Sequence, residues 1–366
     1  MQSSQAVDNI IDEVWSRTLS KIIKGRETGP MRTSLGDDID LVIPQAAVAV
    51  LLSQNPAFAK VLYRSAYTSA KRNGYITTRQ LGMPPDFFWE FDYWTQQRAQ
   101  ETMQKVMARV FASLMIKQKE GNLELVKVDV EHGRFEMVFG NCAECAGLTT
   151  PNPICFFHAG LFAGILGALL DRDMDAVEME CMSNGGKTCG FRIGKPEDRE
   201  IKMPFDERLG HISLQVDFST RVTSQGQHAV RELGNLVDVG YYQLLLSSVF
   251  LGQLEVLSGA CLAAGDELGR ALASAAPQRF QGDASAAISA LCSDLKYTNV
   301  RLSQSDQGVE VHVEEAPENL GPMAQATLVP FLAGWLQGLL SSSLGKSLHF
   351  QSAQREGNAL LLRFSP

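Results

Sequence analysis

The stretch that most constrains this chain runs from Ile154 to Lys195, ICFFHAGLFAGILGALLDRDMDAVEMECMSNGGKTCGFRIGK. It gathers Cys155, Glu178, Cys181 and Cys189, all residue types that ligate metals. A small-residue-rich apolar helix, with Phe157, Leu161, Ile165 and Leu169 in one row, supplies the first. A hairpin of Val177–Met182 and Thr188–Ile193 around Ser183-Asn184-Gly185-Gly186 supplies the other three. One buried ion can therefore join two elements that are separate in sequence. Zinc takes four thiolate, imidazole or carboxylate donors in tetrahedral geometry, so three cysteines and one carboxylate fill its sphere and leave no open catalytic position. Which carboxylate serves is open at this point. Strict strand alternation puts Glu178 and Cys181 on opposite faces, so both reach one ion only if a bulge or the strand end intervenes, and Glu180 shares the face of Glu178.

With 366 residues, two domains are expected, with length enough to bury a core without staples. The net charge of -8 and the lack of any Lys/Arg cluster interleaved with aromatics exclude a nucleic-acid binder. Seven cysteines, an odd count, and an N-terminus without signal-peptide character fit a reducing cytoplasm better than a disulfide framework. Three apolar stretches, Ile154–Leu170, Tyr241–Gly265 and Leu328–Leu344, are interrupted by His158, by Gln253 and Glu255, and by Gln337 and three serines. They read as buried helices, and no membrane span is expected.

In chain order, residues 1–43 read as an N-terminal arm on the surface, with Gly25, Gly29, Pro30 and Gly36 breaking it. A first body, 44–196, opens with helices at AAVAVLLSQ and from Phe58 to Asn73-Gly74. The aromatic segment DFFWEFDYW, with Trp89 and Trp94, is either a stacking wall for a planar ligand or a plug over the core. A helix from Glu101 to about Lys119 then leads into a hairpin, LELVKVDV and RFEMVFG about His132-Gly133, with Phe135, Met137 and Phe139 on its buried face. Residues 197–239 read as a connector and 240–366 as a second body with a helix at Pro330–Leu344. The fold class expected is α+β, two related bodies, each an antiparallel sheet with packed helices.

The two bodies overlay. FHAGLFAGIL at Phe157 matches FLAGWLQGLL at Phe331, and GGKTCGFRI at Gly185 matches EGNALLLRF at Glu356. Cys155 then falls on Val329, Cys181 on Ser352 and Cys189 on Leu360, while His349 stands opposite Glu178. One metal site per chain is expected. Cys142 and Cys145 form a C-x-x-C followed by a Pro-rich loop, which suits packing or pocket-lining thiols better than a redox pair, a separate half-site for metal being the alternative. Cys261 and Cys292 read as core residues. Paired acids such as Glu136 and Glu144 have no supporting context.

The succession of a Cys before an A-G-x-x-A-G helix, V-E-x-x-C, a Gly-containing turn and C-x-F-x-I resembles the 4-vinyl reductase domain. In relatives that sense phenols at the front of bacterial transcription activators, the residues matching Cys155, Glu178, Cys181 and Cys189 bind zinc beside a buried aromatic-ligand pocket. The resemblance thus favours Glu178 over Glu180, implies zinc as cofactor and a small hydrophobic or aromatic ligand, and places Phe135, Phe157, His158 and Leu161, with Trp89 and Trp94, at the pocket. It also implies pairing of domains, as a homodimer or an intramolecular pseudo-dimer. No AAA+ module or helix-turn-helix follows, so a complete activator of that kind is excluded. The expected function is a zinc-stabilised small-molecule-binding or regulatory protein, the rival an accessory subunit of a bacterial oxidoreductase in pigment vinyl reduction or methylated-amine oxidation. Direct catalysis is disfavoured by the closed ligand sphere and by the lack of a nicotinamide or flavin fingerprint.

Overall fold

The computed structural model describes residues 32–80, 96–106, 115–116, 118–129, 131–201, 231–250, 254–316 and 322–366. The chain divides into two compact units. Among described residues the first holds 55–201 and 231–233, and the second 32–54 and 234–366. Both mix helices with antiparallel sheets, the α+β architecture expected.

In chain order the helices are α1 (Val42–Gln54), α2 (Phe58–Gln80), α3 (Gln96–Val106), α4 (Phe156–Leu169), α5 (Val239–Phe250), α6 (Leu254–Ala275), α7 (Ala284–Asp294) and α8 (Pro322–Leu344). The strands are β1 (Asp38–Asp40), β2 (Asn122–Asp129), β3 (Arg134–Gly140), β4 (Asp175–Glu180), β5 (Cys189–Gly194), β6 (Leu236–Asp238), β7 (Asn299–Ser305), β8 (Gly308–Glu314), β9 (His349–Glu356) and β10 (Ala359–Ser365). The sheet of the first unit runs β2-β3-β5-β4 and that of the second β7-β8-β10-β9. The same order in both supports the internal duplication.

In the first unit the alternation of Phe135, Met137 and Phe139 buries one face of β3, and Phe191 and Ile193 do the same for β5. Onto that face packs α4, whose fourteen residues are all buried. Such a helix has no solvent face and must be covered on every side. One cover is the sheet, where Phe162 meets Phe139 and Phe191 edge-on at 5.5 and 5.1 Å between ring centroids. The other is α2. A Cβ placed on Gly160 would lie 2.1 Å from the Tyr63 carbonyl oxygen, and one on Gly164 would lie 2.3 Å from that of Tyr67. The small residues of α4 therefore serve helix-on-helix contact, where the sequence had pointed to helix on sheet or to space for a ligand. Gly74, expected to end α2, lies inside it, and its Cβ would come 2.6 Å from that of Ala168. It marks another close approach to α4 rather than a stop.

The second unit repeats the device with α6 and α8. Added Cβ atoms on Gly334 and Gly338 would stand 2.0 and 2.2 Å from the carbonyl oxygens of Leu262 and Asp266. Those on Gly265 and Gly269 would meet Phe331 and Trp335 equally closely. Helix α8 begins eight residues before the expected Pro330, which lies within it. Residues 32–54 also differ from expectation. Strand β1 pairs with β6, α1 packs against α6, and Ile39 and Leu41 are fully buried, so this segment is core of the second unit rather than a surface arm or the opening of the first body. Arg32 is buried with it, donating to the carbonyls of Gly36, Asp38, Lys296 and Tyr297. Of the expected connector, 202–230 lie outside the described residues. No helix among the described residues is long and apolar enough to cross a membrane.

Glu315 ties the same segment to the second sheet. Its carboxylate accepts from the Thr33 hydroxyl, from Ser34 N and Oγ at 2.9 and 2.8 Å, and from Leu35 N at 3.0 Å. Burial alone would raise this carboxyl, but those donors outweigh it and hold it down at about 2, against an ordinary 4.5. A depressed carboxyl stabilises the fold above its unfolded value and loses that contribution as pH falls from about 4.5 towards 2. Solvent screens so shallow a group, so about 1 kcal/mol is expected. The urea midpoint of Glu315→Gln should fall below that of the parent chain at pH 7, and the difference should close by pH 2.5. A difference that persists unchanged at low pH would contradict this role.

Candidate metal centre

The lead-in to α4 and the tip of the β4–β5 hairpin meet at one point. Cys155 is the residue before α4, Cys181 follows the end of β4, and Cys189 opens β5. Between the last two, Met182–Asn184 make a single 3₁₀ turn closed by Gly185 at φ 97°, a conformation that suits glycine. The Asn184 side chain accepts from Cys181 N at 3.2 Å, and Ser183 Oγ lies 3.1 Å from Cys181 Sγ. The hairpin tip is thus held by its own side chains, and Thr150 N donates to Ser183 O at 2.9 Å to anchor it to the preceding loop.

The pairing of β4 with β5 shifts register between Glu178 and Glu180. The irregularity leaves Met179 at 54 % exposure and Glu180 exposed, while Glu178 is buried. This resolves the alternation conflict, since a bulge lets Glu178 and Cys181 face the same interior. The Sγ atoms of Cys155, Cys181 and Cys189 stand 3.6 to 3.9 Å apart, and a Glu178 carboxylate oxygen lies within 4.8 Å of all three. A tetrahedral zinc with Zn–S bonds of about 2.3 Å requires S···S edges of about 3.8 Å. Glu178 Oε2 accepts from Cys155 N at 2.8 Å, whereas its Oε1 is buried without a hydrogen-bond partner. An orphaned carboxylate oxygen against three buried thiols fits a cation, since each is costly to bury unpaired. Burial and then Cys181 push the Glu178 carboxyl well up, a direction that a bound cation would reverse.

The sequence missed further members. Cys142 and Cys145, assigned above to packing, belong to the same cluster. Cys142 Sγ lies 3.6 Å from Cys155 Sγ, and Cys145 Sγ lies 3.3 Å from Cys189 Sγ. Glu144, between them, accepts from Phe157 N at 2.9 Å and His158 N at 3.1 Å, and its Oε2 lies 2.7 Å from His158 Nδ1. Together Glu144 and Glu178 satisfy first-turn amides of α4 and set negative charge at its positive end. The C-x-x-C itself was the signal for this, because its intervening acid is drawn to the helix start when both thiols enter the cluster. His158 Nε2 faces Glu120 Oε2 at 3.5 Å, and Arg231 Nη1 donates to the Glu120 carbonyl at 3.1 Å. Burial would lower His158, but Cys142, Glu120 and Glu144 more than offset it, so the imidazole is held protonated.

Of the other expected pocket residues, Phe135, Phe157 and Leu161 are buried, and His158 packs between Phe139 at 4.6 Å and Phe157 at 5.5 Å. Trp89 and Trp94 lie outside the described residues. In the second unit Val329 and Leu360 are buried, Ser352 is half-buried and His349 exposed. No metal-type grouping occurs there among the described residues.

A buried thiol–carboxylate cluster joining a helix start to a hairpin, on a four-stranded antiparallel sheet, defines an α+β module of the metal-stapled kind. Residues 135–195 match the 4-vinyl reductase domain, the family whose resemblance was read from the sequence. The chain is also 36% identical over 75 residues to the uncharacterized protein MJ0745 of Methanocaldococcus jannaschii, covering 20% of this chain and 41% of that one. With MJ0150 of the same organism, also uncharacterized, it shares 37% over 92 residues, 24% of this chain and 50% of that one. The chain therefore spans half or less of the length of these two relatives. Two solved structures share weak likeness. The phenol-responsive sensory domain of the transcription activator PoxR, with phenol, gives a TM-score of 0.31 at 16% identity, over 43% of this chain and 76% of that one. A trafficking protein particle complex subunit 3 from Naegleria fowleri, covalently bound to palmitic acid, gives 0.29 at 12%, over 52% and 96%.

Proposed function

We propose that this chain is a cytoplasmic ligand-binding regulatory protein whose 4-vinyl reductase body is held by zinc on Cys155, Glu178, Cys181 and Cys189 and takes a small apolar or aromatic ligand beside α4. The observation that carries the reading is the buried cluster at the junction of α4 and the β4–β5 hairpin, in a segment matching the 4-vinyl reductase domain. Zinc bound there would cross-link the two elements. With four protein donors no position is left for substrate, so the centre shapes the fold rather than performing chemistry. The residues do the rest. Glu144 holds the α4 N-terminus and the His158 ring, Gly160 and Gly164 set α4 against α2, and Phe135, Phe157 and Leu161 form the apolar surroundings in which a planar ligand would be received.

Two measurements test this. Chain purified under reducing conditions should carry zinc at whole-number stoichiometry, lost on Cys181→Ser with Cys189→Ser. Absence of stoichiometric zinc, or zinc untouched by those substitutions, overturns the metal assignment. Phenol and 4-ethylphenol should raise the melting temperature of the parent chain, and Leu161→Trp should abolish that shift. No shift with either compound overturns the ligand assignment.

A further inference from the structure

Five cysteines, not three, converge on the centre, and they fall into two four-donor groupings. One is Cys155, Glu178, Cys181 and Cys189, and the other is Cys142, Cys145, Cys155 and Cys189. In each the donor atoms all lie within 4.8 Å of one another, and every member is buried. The groupings share Cys155 and Cys189, whose sulfurs are 3.6 Å apart. Two tetrahedra with a common edge describe a pair of ions bridged by two thiolates. We infer that the centre holds two soft divalent ions of the zinc class. Cys155 and Cys189 bridge them, Cys181 and Glu178 close one side, and Cys142 and Cys145 close the other. This rests on the zinc reading above and adds a second ion to it.

Three observations carry the inference. The second grouping is no looser than the first, with Cys142–Cys155 at 3.6 Å and Cys145–Cys189 at 3.3 Å, both near the edge of about 3.8 Å that a tetrahedral thiolate site requires. The alternative, inert thiols packed as core, is what Cys261 and Cys292 represent, and neither belongs to any such grouping. Finally, five thiolates and a carboxylate bring six negative charges into a fully buried space. One dication would leave four of them uncompensated, whereas two leave a pair, which the His158 ring at 3.8 Å from Cys142 and the buried Arg231 guanidinium at Glu120 help to offset. The C-x-x-C suits this role, since two residues between thiols let both bind one ion.

Full-length chain is loaded with Zn(II), or separately with ¹¹³Cd(II), in the presence of a phosphine reductant, freed of excess metal and weighed by native mass spectrometry. Two ions per chain, with two ¹¹³Cd resonances in the thiolate-rich region, are expected. Cys142→Ser with Cys145→Ser should retain one ion and one resonance. A single ion in the parent chain, kept by that double variant and lost in Cys181→Ser, overturns the two-ion centre and leaves the zinc reading standing. A single ion lost in the Cys142/Cys145 variant but kept in Glu178→Gln with Cys181→Ser overturns both. No bound ion also overturns both. The parent chain alone decides between one ion and two, so a variant that fails to fold does not blunt the test.

Discussion

Alanine at both Gly160 and Gly164 should cost the first unit about 2–6 kcal/mol, taking about 1–3 for each overpacked position. The reason is what the new methyl groups would meet. Each would fall 2.1 to 2.3 Å from a backbone oxygen of α2, at Tyr63 or Tyr67. A side chain can rotate away from such a contact, but a hydrogen-bonded helical carbonyl cannot, so the two helices must separate. Separation would expose α4, which is buried throughout. With domain stabilities of about 5–15 kcal/mol, the double variant should unfold at much lower urea or accumulate as aggregate. Gly334→Ala with Gly338→Ala should do the same to the second unit, where Leu262 and Asp266 supply the opposing oxygens. A change of less than about 1 kcal/mol in either pair would mean that the helices do not touch as described.

Metal removal should have an effect as large, confined to one unit. Structural zinc contributes on the order of 10 kcal/mol in small sites, comparable with the whole stability of a domain. On chelation, amide exchange should speed up across 135–195, most strongly in α4 and the β4–β5 hairpin that the thiols join. Peptides covering β7–β8 and β9–β10 should keep their protection, because no metal-type grouping occurs among the described residues of the second unit. Equal loss in both units, or none in the first, would contradict a local staple.

Much of this was legible in the sequence because it is local. Alternation around Phe135, Met137 and Phe139, the Ser183–Gly186 turn and the glycine pattern shared by α4 and α8 each lie within about ten residues. What escaped depends on contacts between distant segments. Gly74 and Pro330 look like helix boundaries by propensity, yet tertiary packing carries both helices through them. The shift in β4 that turns Glu178 inward is a property of its pairing with β5, and one sequence shows no such register. Cys142 and Cys145 sit in an irregular loop, and only the fold brings them against Cys155 and Cys189. Residues 32–54 precede the first unit in the chain but join the second through β6, about 200 residues on.

The burial of α4 on all sides sets a hazard during synthesis. Its last residue, Leu169, leaves the ribosome twenty residues before Cys189, the last of the clustered thiols. At about 5–20 residues per second, that is roughly one to four seconds in which fourteen apolar residues have neither β5 nor a complete set of thiols to cover them. Slow translation or scarce metal would lengthen this interval. The yield of soluble chain is therefore set in part by how soon the hairpin closes over the helix, before any ligand is encountered.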